Sequence, residues 1–536
     1  MASTDLPPSP GISEPDRRRR ALLRGGAALP LIGLASIAPR AWGSTDPFTL
    51  GVASGEPRPD GFVAWTRLAP DPLNLDPRTP GGLSGGDRSL VLQIAADDTM
   101  RRLIRRQDVT APAREAWSVH AIVAGLEPDR RYWYRFVSDD AASAVGCVKT
   151  APAPGATIEA LRLGFVSCAN YEAGWFSAYR HLADEQVDAV LFLGDYLYEG
   201  YDKQRRGVRS HSGGAATHSL RDYRNRHAQY RSDPDLQRVH AAAASLITWD
   251  DHEVQNDYAD RWSMTFDDPA RFLRRRAAAY PAFYEHMPLS PHRRRDGAAL
   301  QIYDRYRFGQ LLEVSMIDGR QYRSREACYR RPDKGGAHLE TDAACPERRS
   351  PERSMLGAEQ ERWLHDGLSR SDARWNLIGQ DVLMAQFKER NDAGETGFWT
   401  DDWNGYPATR DRLLEHIEQS RIANVVTVGG DLHSFWANDL KHDFDDPASR
   451  TVASEFITTS ITSAGPPHDT FMSWMPDNPH VKFFDARVHG YSVASITTDR
   501  FDMAFRTVSD VRDPAAAIAT FKRFTVENGR PGPVPA

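Results

Sequence analysis

Two hydrophobic rhythms divide the chain. From 48 to 137, short apolar runs at 48–52, 62–67, 90–95, 119–124 and 132–137 are separated by turn residues. Runs of that length and spacing predict the strands of an all-β sandwich. A linker of Pro, Ala and Gly at 151–157 closes this region. Beyond it the period changes. An apolar strand run at 161–167 is followed by Phe176, Tyr179 and Leu182 or Ala183 on one helical face, then by the near-continuous run 187–193 of buried-strand type. Further strand runs stand at 245–249, 311–317, 375–378 and 424–428. Strands interleaved with helices predict an α/β domain, and a terminal helix is expected near 514–523, where it would cover a site.

Each strand run ends in residues capable of chemistry. These are Cys168, Asp195, the Asp250-Asp251-His252 cluster, Asp318, Gln380-Asp381, and Asp431 with His433. Ligands of α/β proteins bind beyond the carboxyl ends of the strands, so these endings are expected to converge on one rim. A single polar strand ending is usually a turn residue or a helix cap. The repetition carries the argument.

Length and charge refine the picture. At 536 residues the chain exceeds what one core fills, since cores stop growing beyond about 250–300 residues. Two domains are expected, at 47–150 and 158–536, behind a leader at 1–43. With 40% hydrophobic residues, 26% charged residues and a net charge of -6, the chain has no field suited to nucleic acid. The leader is the exception. Arginines 17–20 precede the apolar run 25–38, which is too short to span a bilayer, and small residues follow. The order resembles a twin-arginine export signal, an address read by the twin-arginine machinery. No later segment supplies a membrane span, so the expected location is periplasmic or extracellular. In that oxidising setting Cys328 and Cys345, flanking a polar loop, make the economical disulfide. Cys147 and Cys168 are left over, and they are also able to pair.

The polar clusters suggest metals. Gly194-Asp195-Tyr196-Leu197-Tyr198 sets a carboxylate and a phenol three residues apart after a buried strand. Trp249-Asp250-Asp251-His252-Glu253 packs three carboxylates and an imidazole, a density that repels itself unless cations or solvent intervene. In Gly429-Gly430-Asp431-Leu432-His433, the glycines permit close backbone approach, and Asp and His at i and i+2 share a face if the strand continues.

These motifs resemble the metallophosphoesterases that include purple acid phosphatases. More closely, the chain resembles the alkaline phosphatase D family. That likeness is carried by Ser167-Cys168-x-Asn170-Tyr171, Gly194-Asp195-Tyr196-x-Tyr198-Glu199, Tyr223-Arg224-Asn225-Arg226-His227, Asp250-Asp251-His252-Glu253-Val254-x-Asn256 and Asp318-x-Arg320-Gln321-Tyr322-Arg323. It extends over essentially the whole chain. It implies a layered α/β/β/α metallophosphoesterase-like catalytic domain behind a small fibronectin type III-like β-domain. The corner of that β-domain is suggested by residues 123–128 and Tyr132-Trp133-Tyr134.

The resemblance also implies Fe3+ on Cys168, Tyr198, Asp195 and Asp431 or His433. Ca2+ or another divalent ion is implied on Asp195, Asp251, Asn256 and their neighbours. The donor chemistry agrees, since thiolate and phenolate suit a transition metal while carboxylate and amide oxygens suit a hard cation. Asn256 has two further readings, as a phosphate contact or a helix cap. The expected reaction is hydrolysis of a phosphate monoester by a metal-activated water or bridging oxygen. His252, beside Asp251, is then the candidate to protonate the leaving oxygen or to orient a ligand. The rival reading is a phosphodiesterase or phospholipase D acting on phospholipids. For it the entrance matters, and Trp403, Trp436, Tyr406 and the arginines of 320–331 read either as entrance residues or as core aromatics and solvated charge. A second rival, an inactive secreted binding protein, ranks below both because the expected ligand positions all hold competent side chains.

Overall fold

The computed structural model describes residues 46–138, 141–204, 206–265, 268–295, 299–329 and 336–536. The leader at 1–43 lies outside them. Six strands carry the site: β1 (Ala160–Val166), β2 (Ala189–Leu193), β3 (Ala244–Thr248), β4 (Leu312–Met316), β5 (Trp375–Gly379) and β6 (Val425–Gly429). In a ten-stranded sheet, β2 pairs in parallel with β1 on one side and β3 on the other. In a seven-stranded sheet, β5 lies in parallel between β4 and β6.

The period of two assigns every side chain in these strands to a face. Leu161, Leu163 and Phe165 of β1 and Ala189, Leu191 and Leu193 of β2 meet Leu312, Val314, Leu377, Val426 and Val428 in one core between the sheets. Val190 and Phe192 point the other way, into a core shared with the helices α1 (Ser177–Asp184), α2 (Leu220–Arg231), α3 (Pro234–Ala242) and α4 (Pro269–His286). Ile378 and Val425 likewise face α5 (Gly357–Arg370) and α6 (Pro407–Gln419). The result is the expected α/β/β/α layering. Each fully buried Leu or Phe contributes about 1.5–3 kcal/mol relative to exposure.

The N-terminal region is all-β, as its pattern predicts, with Tyr132, Tyr134 and Phe136 alternating into a core with Leu90, Leu92 and Ile94. At its corner, the Glu127 backbone N–H donates to the Tyr132 hydroxyl at 3.0 Å. Its sheets are not a closed pair, however. Strands Val52–Arg58, Gly61–Arg67 and Ser118–Val123 continue the ten-stranded catalytic sheet, because Ser54 and Gly55 pair in parallel with Ala244 and Ser245 of β3.

The expected terminal helix is replaced by a strand, Ile518–Glu527, paired with Arg500–Val508. The chain makes only a turn there, in which the Asp513 carboxylate accepts from the Ala515 N–H at 2.8 Å and the Ala516 N–H reaches the Asp513 carbonyl. The Thr- and Phe-rich segment that follows buries Phe524 and Val526 with a period of two, and β-branched and aromatic residues favour that extended form. The turn docks on α1 through Arg180 and His181, which reach the carbonyls of Pro514 and Ala516 at 2.8 and 2.7 Å.

Candidate metal centre

The backbone turns sharply where the strands end. Cys168, Asp195, Asp431 and His433 all have positive φ, between 49° and 64°. In non-glycine residues this conformation is uncommon, and it clusters at functional sites. Asp431 and His433 therefore share the site by a left-handed turn after β6, not by the strand alternation that their spacing suggested. Close backbone approach makes these turns possible. A Cβ on Gly194 would lie 2.4 Å from Asp250 Cβ, and one on Gly430 would lie 2.6 Å from Ser167 Oγ.

Among the described residues, four groups of side chains bring potential ligand atoms within 4.8 Å of one another. They are Cys168–Asp195–His433, Asp195–Asp251–His252, Asp195–Asp250–Asp431 and Asp251–Asp257–Asp401. Asp195 belongs to three of them. The Tyr198 hydroxyl lies 2.9 Å from Asp195 Oδ2 and 3.0 Å from His433 Nε2, and it accepts from Ser463 Oγ at 2.7 Å. His433 Nδ1 is 2.8 Å from the Ala464 carbonyl. A proton on that nitrogen leaves the Nε2 lone pair facing the site. Tyr198 then has one proton for two acceptors, a shortage that a cation among the three would relieve.

Other polar atoms here lack partners. Asp195 Oδ1, Asp250 Oδ2 and Asp251 Oδ1 are buried without hydrogen bonds among the described residues. Burial, then neighbouring charge, decides their protonation. Asp195 is held well above the usual carboxylate range by burial and by Asp251, Glu253 and Asp431, against the pull of His252. Burial and Asp401 push Asp431 up to about 8. Burial followed by Asp195 raises the Cys168 thiol and the Tyr198 phenol. Burial also raises Asp251, but His252 and Arg320 bring it below its ordinary value. His252 stays protonated against burial because Asp251, Asp195 and Glu199 face it. So many acids crowded together and starved of counter-charge fit cation binding, which would draw their protons off.

Supporting contacts fix the geometry. Glu253 accepts from the backbone N–H groups of Tyr196, Asp250 and Asp195 at 2.7, 3.0 and 3.2 Å. Glu199 lies 2.6 Å from His252 Nδ1 and accepts from the Asn256 N–H at 2.8 Å. The Asn256 amide nitrogen faces Met264 Sδ at 3.5 Å, so its carboxamide oxygen is the one atom left to ligate.

Comparison with known proteins identifies the lineage. The profile of PhoD-like phosphatases matches residues 163–505, and that of the PhoD-like phosphatase N-terminal domain matches 35–152. The chain belongs to the PhoD-like phosphatase family. Alkaline phosphatase D of Bacillus subtilis (strain 168) is 40% identical over 496 residues, covering 91% of this chain and 82% of that one. The solved structure of PhoD superposes with a TM-score of 0.85 at 39% identity, covering 93% of each chain.

As a PhoD-like phosphatase the chain is a hydrolase of phosphate esters, and several side chains now take supporting places. Asp318 accepts from Trp249 Nε1 and from the Arg320 and Gln321 N–H groups at 2.9–3.0 Å. Gln380 accepts from Trp403 Nε1 at 2.6 Å. Arg320 is fully buried, pairing with Asp250 and, through both terminal nitrogens at 2.7 Å, with Asp401. Trp403, Trp436 and Tyr406 are fully buried core aromatics in the cluster that includes α6, and Trp436 packs on Phe387 and Phe484, so they do not shape an entrance. Arg320 and Arg323 are buried ion-pair partners, not solvated charge. The Cys328–Cys345 disulfide is present, whereas Cys147 and Cys168 are free. Asp257, Asp401 and the clamping roles of Glu199 and Glu253 escaped the sequence reading. Glu199 and Glu253 stand inside quoted motifs, but nothing local marks Asp401.

Proposed function

We propose that this centre is a mixed metal site for hydrolysing phosphate esters, with phosphate monoesters as the main substrate. Fe3+ is assigned to Cys168, Asp195, Tyr198 and the turn of Asp431 and His433, and Ca2+ to Asp195, Asp251 and Asn256. The observation that carries the reading is the membership of Asp195 in three of the four ligand groups, as a carboxylate shared between two cations would require. When bound, the cations supply positive charge to the phosphoryl oxygens and lower the pKa of water for in-line attack.

The chain's own residues do the rest. Glu199 fixes the His252 ring through Nδ1, which leaves Nε2 to stabilise or protonate the leaving oxygen. The Tyr198 ring lies 4.1 Å from that ring, tilted by 35°, and limits its movement. Arg320 is committed to Asp250 and Asp401, which leaves His252 as the cationic side chain free to face phosphate charge.

A phosphodiester bearing an apolar group, such as a phospholipid, is the second reading. It is favoured by the short helix α7 (His468–Trp474), none of whose residues is buried and which carries Phe471, Met472 and Trp474. This helix follows the loop whose Ala464 carbonyl holds His433.

Export by the twin-arginine route to the periplasm or the extracellular space completes the proposal. It is supported by arginines 17–20 and by the disulfide, which suits an oxidising compartment. Among the described residues no helix is long and apolar enough to cross a membrane.

Elemental analysis of the signal-cleaved protein, paired with monoester and diester rates before and after calcium removal and readdition, tests the assignment. Bound iron with calcium-restored monoesterase is the expected result. Active protein without iron would overturn the roles given to Cys168 and Tyr198, and a strong diester preference would move the assignment to the second reading.

A further inference from the structure

One loop touches three of the residues assigned to iron. After the strand Thr451–Ile457, the backbone N–H of Ile461 donates to the Ser167 carbonyl at 3.0 Å, and those of Thr462 and Ser463 reach the Cys168 carbonyl at 3.4 Å. Thr462 Oγ1 donates to the Asn170 carbonyl at 2.7 Å, so the loop is fastened along the turn that bears Cys168. The next residue but one, Ala464, supplies the carbonyl that His433 Nδ1 meets. Between these anchors Ser463 is buried, with its Oγ 2.7 Å from the Tyr198 hydroxyl oxygen and 3.0 Å from the Cys168 carbonyl oxygen.

Three side chains stand around the Tyr198 oxygen. Two of them, Asp195 at 2.9 Å and His433 at 3.0 Å, are themselves assigned ligands, with lone pairs that a cation would take. Ser463 is the third. It lies outside that ligand set and brings a proton. A serine hydroxyl has one hydrogen, and here two oxygens are within its reach. Charge decides between them, because a phenolate accepts more strongly than a neutral carbonyl, and the Tyr198 oxygen is also the nearer. The backbone bonds of residues 461–463 hold the hydroxyl at that oxygen without any demand on the metal.

We propose that Ser463 is a positioning residue for the phenolate ligand: its hydroxyl donates to Tyr198 Oη, fixes the direction of that oxygen and draws electron density from it. The proposal rests on the assignment of Fe3+ to Tyr198. Donation to a charged oxygen favours the phenolate over the phenol, which helps the ligand form in a site crowded with carboxylates. It also lowers the energy of the phenolate's donor electrons, and that is a property of the hydroxyl itself, separate from any part it plays in packing.

The test uses the signal-cleaved protein loaded with iron and calcium, read by the visible absorption of its ferric form. A phenolate-to-iron charge-transfer band is expected, absent in Tyr198→Phe. In Ser463→Ala the band should move to longer wavelength with iron content kept, and Ser463→Thr, which retains the hydroxyl, should return it. An unmoved band in Ser463→Ala would overturn the role given to Ser463 alone, while ferric protein lacking any such band would overturn the iron assignment and this role with it. If Ser463→Ala fails to fold or to keep iron, resonance Raman of the unaltered protein decides. Transfer to deuterated water should shift the tyrosinate C–O stretch, and an unchanged stretch would overturn the proposal.

Discussion

After β1, β2 and β3, on the ten-stranded sheet, Cys168, Asp195, Asp250 and Asp251 converge, and the three carboxylates each keep an oxygen without a partner. After β4 and β5, on the seven-stranded sheet, Asp318 has its oxygens filled by N–H donors and Gln380 is bound to Trp403, while Asp381, 3.5 Å from Arg320, is the exception, with neither oxygen hydrogen-bonded among the described residues. Of the three strands β4, β5 and β6, the last is the one that sends residues, Asp431 and His433, into the ligand groups found among the described residues. Two sheets, each with a run of parallel strands that end in polar residues, thus divide the labour. One offers free lone pairs, and the other, through Asp318, Gln380 and the Arg320 ion pairs, builds a wall that holds them in place. Asp381 apart, what separates the two is whether the lone pairs are already occupied.

Substitutions should expose that division. The largest effect is expected for Asp195→Ala, with kcat/KM falling at least ~10⁴-fold and iron and calcium both lost, as read by steady-state kinetics and elemental analysis. Activity with full metal content would show that Asp195 is not shared. Arg320→Met attacks the wall. Leaving Asp250 and Asp401 buried without their cation should cost about 3–5 kcal/mol in denaturant unfolding, before any kinetic effect is considered. His252→Ala should lower kcat about 10²-fold while both metals stay bound; metal loss would move His252 among the ligands. The smallest effect is expected for Trp403→Phe, which removes one hydrogen bond to Gln380 and should cost about 1 kcal/mol in stability with kcat nearly unchanged.

Much of the ligand side was legible because its signals are local. Gly194, Asp195 and Tyr198 stand within five residues of one another at the end of an apolar run, as do Gly430, Asp431 and His433. The wall was not legible, since Arg320 and Asp401 pair across 81 positions and nothing in either segment names the other. Trp403 and Tyr406 read equally well as entrance or core, because a sequence shows an aromatic residue but not which side of a helix or turn it faces. The terminal strand was missed for a different reason. Asp513 and Pro514 give a helix-start signal, and the pairing partner that overrides it, Arg500–Val508, is decided by tertiary contact.

The parallel pairing of Ser54 with Ala244 also bears on how the protein is made. The strand Val52–Arg58 leaves the ribosome early, but its partner in β3 follows about 190 residues later, at about 5–20 residues per second. For roughly 10–40 s one edge of the nascent β-region lacks its ladder, and unpaired edges invite aggregation. Fragments that stop before β3 should therefore be insoluble although they contain the whole N-terminal β-region, and synthesis of the intact chain should lean on chaperones until β3 emerges.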